Sequence, residues 1–140
     1  SLHAEGIVDI DGQLRISGSR AIVIQWNKFS SEVFANGDVL SLSKAGIAVK
    51  SDASHKKVFG IYVKNSNLVL GKSNDEGIFV AISGIVNVRV TGKIEIGDSL
   101  AFQDSNNSGV ASRLTTGYSN IIALEESTSD SEKLIACLLK

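Results

Sequence analysis

Two stretches of this chain repeat one pattern, and that repetition constrains the fold more than any other feature. Asn36-Gly37-Asp38-Val39-Leu40-Ser41-Leu42 resembles Ile96-Gly97-Asp98-Ser99-Leu100-Ala101-Phe102. Each is followed by a small turn and then by Gly46-Ile47-Ala48 or Gly109-Val110-Ala111. A short apolar stretch comes next, Val58-Phe59-Gly60-Ile61 or Ile121-Ile122-Ala123-Leu124. Each copy closes on a further apolar strand, Ile78-Phe79-Val80-Ala81-Ile82 or Leu134-Ile135-Ala136-Cys137-Leu138. Self-similarity of this kind marks a duplicated supersecondary unit. In such a unit Gly supplies a positive φ and the Asp side chain accepts a backbone hydrogen bond from two residues on, so the pair launches a strand from a tight turn.

The pattern between the repeats is β throughout. Period-2 alternation and short apolar runs bounded by Gly, Asn, Asp and Ser recur, while helical periodicity is hard to find. Besides an opening pair of apolar segments, Ile7–Ile10 and Gln13–Ile16, strands are expected at Arg20–Trp26, Val39–Leu42, Ile47–Lys50, Val58–Lys64, Asn67–Leu70, Gly77–Ile82, Val86–Val90, Ser99–Phe102, Val110–Leu114, Asn120–Glu125 and Lys133–Leu139. Short strands of this number suit an all-β sandwich or small barrel built from two duplicated halves. The coarse order is an N-terminal arm over residues 1–20, then one β domain over 21–140. Within that domain half one covers about 36–84, a linking hairpin lies around Gly84–Val90, and half two covers about 96–139. The final segment Leu134–Leu139 is apolar at both parities, as a strand covered on both faces inside the fold or under a neighbouring subunit would be.

The arm has its own logic. Asp11-Gly12 is a strong hairpin signal between Ile7-Val8-Asp9-Ile10 and Gln13-Leu14-Arg15-Ile16. A two-residue loop would nevertheless set Ile10 opposite Gln13 and Val8 opposite Arg15, mixing polar and apolar side chains on one face. A bulge, or pairing with another subunit, resolves the conflict. Ile7, Val8, Ile10, Leu14 and Ile16 are therefore candidate contacts with other chains.

Bulk properties remove several function classes. The chain has 140 residues, 43% hydrophobic and 21% charged, with a net charge of −1. That length buries roughly two-thirds of the unfolded surface and sustains a core without staples. Positive charge is scattered rather than clustered, which argues against a nucleic-acid partner. No apolar run reaches the ~18–20 residues of a membrane span, and no basic stretch followed by an apolar one opens the chain. Ser1 and the absence of Met fit a complete small protein and equally a piece of a longer one.

Chemistry-bearing residues do not assemble into a site. Asp9-x-Asp11-Gly12 begins like a calcium loop, but the bidentate Glu is missing downstream, so it reads as a turn. His3 and His55 lack partners at ligand or base spacing. The single cysteine, Cys137, sits in an unbroken apolar strand and behaves as a small core hydrophobe. Gly-x-Ser-x-Gly and P-loop spacings are absent, and Glu125, Glu126, Asp130 and Glu132 read as a solvated loop. No catalytic residue, cofactor or metal site is expected. The one aromatic concentration, Trp26 with Phe29 and Phe34, is either core or an anchor in a subunit contact.

Taken in order, Gly37-Asp38-Val39-Leu40, Val49-Lys50-Ser51, Val58-Phe59-Gly60-Ile61, Leu68-Val69-Leu70-Gly71, Val80–Val90 and Gly97-Asp98-Ser99-Leu100 resemble the β-rich module of tailed-phage tail-fibre and appendage proteins. They are similar, more loosely, to phage head-decoration (cement) proteins. The resemblance covers about residues 36–140, and segment 6–18 resembles fibre-stalk repeats. It implies a structural protein on the surface of a phage particle, made in the host cytoplasm, with itself (a trimer) and other virion proteins such as capsid or tail subunits as partners. Some appendage relatives carry a self-cleaving version, with an acidic and aromatic stretch before the first Gly-Asp strand. Here that stretch reads Arg20-Ala21-Ile22-Val23-Ile24-Gln25-Trp26, without acidic residues. The rival of a different class is a receptor- or carbohydrate-binding tip, for which Trp26, Tyr62 and Tyr118 are the candidate platform.

Overall fold

The structure, a computed structural model, describes residues 7, 9–13, 20–29, 31–65, 69–70 and 77–140. It is all-β among these residues: β1 (Ala21–Trp26), β2 (Val39–Leu42), β3 (Ala48–Lys50), β4 (Gly60–Val63), β5 (Val69–Leu70), β6 (Ile78–Val90), β7 (Ser99–Phe102), β8 (Ala111–Arg113), β9 (Ile121–Ala123) and β10 (Lys133–Leu139). One sheet holds them in the order β10-β9-β7-β8-β6-β4-β2-β3, with β10 also pairing β6 and β1 pairing β5 and β6. The expected arm lies largely outside the described residues. So do Val8, Leu14 and Ile16, and the described residues of the arm, 7, 9–13 and 20, form no strand.

One expectation is corrected. No hairpin links the halves around Gly84–Val90; β6 runs unbroken through both. Gly84 makes this possible. Its φ of 105° bends the strand without ending it, and a Cβ there would sit 2.4 Å from the Arg20 carbonyl oxygen and 2.7 Å from the Ala21 Cα. Pairing continues on both sides of the bend, with β1 along Ile78–Gly84 and β10 along Gly84–Val90.

The shared strand closes two rings. In the second, β6 pairs β10, β10 pairs β9, β9 pairs β7, β7 pairs β8, and Val90 bridges back to Ala111 of β8 in parallel. In the first, β1 pairs β6, β6 pairs β4, β4 pairs β2, β2 pairs β3, and Lys28 just beyond β1 bridges Ala48 of β3 in parallel. The registers correspond: Leu40↔Lys50 and Leu42↔Ala48 in one ring match Leu100↔Arg113 and Phe102↔Ala111 in the other. Closure leaves few of the exposed edges that invite aggregation.

Strand alternation then sorts the cores. Ile24, Leu40, Ala48, Ile78 and Val80 fill the first ring, with Phe34, Phe59 and Tyr62 packed against them. Their counterparts Val86, Leu100, Ala111, Ile135 and Cys137 fill the second, with Val88, Ile121, Ala123 and Leu139. The larger cluster also takes in Val23, Val39, Ile61 and Ala81 from the opposite side chains of the first ring, so the rings share a core.

Candidate interaction surface

The two Gly-Asp turns are the same object built twice. Ala35 N–H donates to Asp38 Oδ2 at 2.7 Å, and Glu95 N–H to Asp98 Oδ2 at 2.8 Å. Gly37 N–H reaches the Tyr62 carbonyl (2.9 Å) as Gly97 N–H reaches that of Ala123 (2.8 Å). Tyr62 and Ala123 return N–H bonds of 2.9 Å to the carbonyls of Asp38 and Asp98. Each carboxylate thus caps the backbone three residues before it, not two residues after, and the backbone bonds fasten the turn to the paired strand, β4 or β9.

Environment separates the copies. Asp38 is fully buried, and its Oδ1 accepts from Arg89 Nη1 at 2.5 Å. Arg89 Nη2 donates to Glu132 at 2.9 Å, whose other oxygen accepts from Asn107 at 2.6 Å. The hydrogen bond to Asp38, working against desolvation, raises the Arg89 pKa above its ordinary value. Backbone bonds seal the same junction: Arg89 N–H to the Gly37 carbonyl (2.8 Å) and Val39 N–H to that of Gly109 (2.9 Å). Asp98 instead has Arg113 Nε at 3.9 Å near the surface. This cluster holds the rings together.

Cys137 and His55 belong to different rings. Cys137 points into the second ring, where burial pushes its thiol up to about 12. His55 lies in the β3–β4 loop of the first ring and meets Asp52 at 3.0 Å through Nδ1. Burial works against it, yet hydrogen bonds from His55 and Ser54 lower the Asp52 pKa. These bonds close a turn that also carries the Asp52↔His55 bridge. No group of three or more His, Cys, Asp and Glu capable of holding a metal occurs among the described residues. No helix there is long and apolar enough to cross a membrane.

The aromatic candidates divide between packing and exposure. Trp26 stacks obliquely on Phe59 with ring centroids 5.2 Å apart, and its Nε1–H donates to the Gly46 carbonyl at 2.7 Å. Phe34 packs on Tyr62 at 5.5 Å. Phe29 is half exposed, as is Ile10, and Ile7 is 88% exposed. The three residues of a would-be sugar platform are not gathered. Trp26 and Tyr62 serve the first ring's packing, and Tyr118, 97% exposed, projects from the β8–β9 loop of the second.

One apolar feature among the described residues was not singled out residue by residue in the sequence. On the outside of the second ring Ile85, Leu138 and Ile122 stand side by side across β6, β10 and β9, all half-buried. Ala136 flanks them, with Leu124 37% exposed and Leu134 46% exposed. The signal was the double apolar parity of Leu134–Leu139: Ile135, Cys137 and Leu139 face the core, and the other parity makes this face.

In sequence the chain matches no protein-family model and no curated protein. Its fold is similar to solved structures. A crystal structure of a C-terminal fragment of bacteriophage phi29 gene product 12 superposes with a TM-score of 0.66 and 17% identity, over 85% of this chain and 99% of that fragment. The pre-mature form of the same phi29 protein gives a TM-score of 0.66 and 15% identity, over 94% of this chain. The chain spans only 24% of the length of that longer form.

Proposed function

We propose that this chain is a non-enzymatic structural module of a bacteriophage particle, of the fibre or appendage type rather than a head-decoration protein, which assembles with copies of itself as a trimer and binds other particle proteins. The observation that carries this reading is the fold's likeness, along nearly the whole chain, to a module of a phage protein. The ordered Gly-Asp motifs and the apolar outer face of the second ring support it. Association of this kind gains free energy by removing apolar surface from water. Its other virion partners would engage the opening arm, where Ile7 and Ile10 are exposed, by strand addition to a neighbouring sheet edge.

The test is location. Particles purified from the host that encodes the chain are labelled with an antibody against it and imaged by immunogold electron microscopy. Label at the tail is the expected result. Label confined to the head would overturn the appendage assignment, and abundant protein in the lysate with none on particles would overturn the structural reading. A time-dependent chain break that disappears in Cys137→Ala or His55→Ala would overturn the non-enzymatic part.

A further inference from the structure

The two rings present equivalent outer rows, and only one of them is sealed. In the first ring Val23, Ala81, Ile61 and Val39 lie side by side across β1, β6, β4 and β2. All are buried, in the same cluster as the interior of the second ring. In the second ring the same positions of the corresponding strands hold Ile85, Leu138, Ile122 and Ser99. None of these is fully buried. Among the described residues one ring covers the first row, and no further ring stands against the second.

We infer that the β9–β10 face of the second ring, centred on Ile122 and Leu138 and flanked by Leu124 and Leu134, is the surface on which a second copy of this chain docks. The occupant follows from the molecule's own construction: the equivalent row is already covered, within one chain, by a ring of the same build. The face is also continuous with that internal interface. Leu134 Cδ2 lies 2.4 Å from the point a Cβ on Gly37 would occupy, so the side chain that flanks the open face also packs on the Gly37-Asp38 turn at the junction. The middle of the face is aliphatic, with Ile85, Leu138 and Ile122 flanked by Ala136, Leu124 and Leu134, while Ser99, Asn87 and Arg89 lie at its margin. An apolar middle with a polar rim suits a packed protein contact rather than an ionic or sugar ligand. Aliphatic faces of this kind on a free monomer are the ones self-association removes from water.

The inference rests on the self-assembly proposed above and names where it happens. Its test is light scattering on the full chain at micromolar concentration, for the native protein, Leu124→Glu/Leu134→Glu, and Tyr118→Glu as a surface control. The native chain and the control are expected at a multiple of 14.8 kDa. The double variant is expected as a monomer with an unchanged circular dichroism spectrum, since both replaced side chains already reach solvent. If charge at those positions disturbs folding, Leu134→Cys supplies the second readout. Its introduced thiol should be alkylated several-fold more slowly in the concentrated than in the diluted protein, while buried Cys137 stays silent. An oligomer that survives the double substitution, with alkylation independent of concentration, overturns this face and leaves self-assembly standing. A native chain that is monomeric at every concentration overturns both.

Discussion

Arg89 and Asp38 sit on different rings and meet at 2.5 Å, with the carboxylate wholly withdrawn from water and the guanidinium a quarter exposed. Asp98 occupies the equivalent turn without such a partner, its nearest guanidinium nitrogen being 3.9 Å away. The duplication has therefore diverged where the halves had to be joined. One copy of the Gly-Asp turn became an inter-ring fastening, and the other remained a turn.

Truncating Arg89 should accordingly cost far more than its surface position suggests. Arg89→Ala leaves the Asp38 carboxylate buried and unpaired, a loss of about 3 kcal/mol, the low end for a broken buried pair because Arg89 is partly solvated. Asp98→Ala removes one capping bond near the surface and should cost about 1 kcal/mol. Arg89→Ala/Asp38→Ala should cost less than the sum of the single changes, because the unpaired charge is gone. Urea unfolding midpoints decide all three. Equal costs for Arg89→Ala and Asp98→Ala would contradict the fastening role.

Gly84 is the position at which the shared strand turns from one ring into the other. Gly84→Ala must hold a side chain at positive φ and drive its Cβ into the Arg20 carbonyl, a backbone group that cannot swing aside. Gly46 offers the internal comparison: its φ is also positive, at 76°, but a Cβ there meets nothing within 4 Å. Gly46→Ala should cost about 1 kcal/mol, the conformational cost alone. Gly84→Ala should lower the melting temperature substantially more, and similar shifts for the two would remove the bend's special standing.

The architecture was legible wherever two levels of the sequence agreed. The Gly-Asp repeats and the alternation of Val39–Leu42 and Ser99–Phe102 point to duplicated β units, and the rings repeat register by register. The continuity of β6 was not legible, because Ser83-Gly84 reads as a turn when only its neighbours in the chain are considered. Pairing with β1 on one side and β10 on the other holds the segment as strand, a tertiary effect that local propensity does not contain. Trp26 and Phe34 left core and contact readings open, since the sequence does not disclose that Phe59 and Tyr62 lie beside them. The outer face of β10 was half visible. Double apolar parity announced a strand in need of cover, without saying which parity the fold itself would use.

Cys137 gives a pH dependence with a definite sign. Its thiol is raised from 9.0 to about 12 by burial, so above pH 9 the unfolded chain releases a proton that the folded chain retains. Stability from this group is complete below pH 9 and falls as the pH rises from 9 towards 12. Thermal melts across that window should show a decline that is reduced in Cys137→Ala, whose smaller core side chain lowers stability evenly at all pH values. An identical decline in both proteins would place the alkaline loss elsewhere.

Because β6 and the larger core cluster belong to both rings, neither ring can open without exposing the other's packing. Unfolding is therefore expected to be a single cooperative transition, and the chain carries one native probe in each ring. Trp26, the only tryptophan, reports the first ring through its contact with Phe59 and its bond to Gly46. Cys137, the only cysteine, reports the second, since its thiol is sealed inside until that ring opens. In a urea titration at neutral pH, the loss of native Trp26 fluorescence and the onset of Cys137 alkylation in a short pulse should share one midpoint, as a two-state transition requires. Arg89→Ala should move both midpoints down together, because the shared strand still couples the rings after their fastening is cut. If tryptophan fluorescence changes at lower urea than thiol exposure, the first ring unfolds on its own and the shared strand does not make the two rings one cooperative unit.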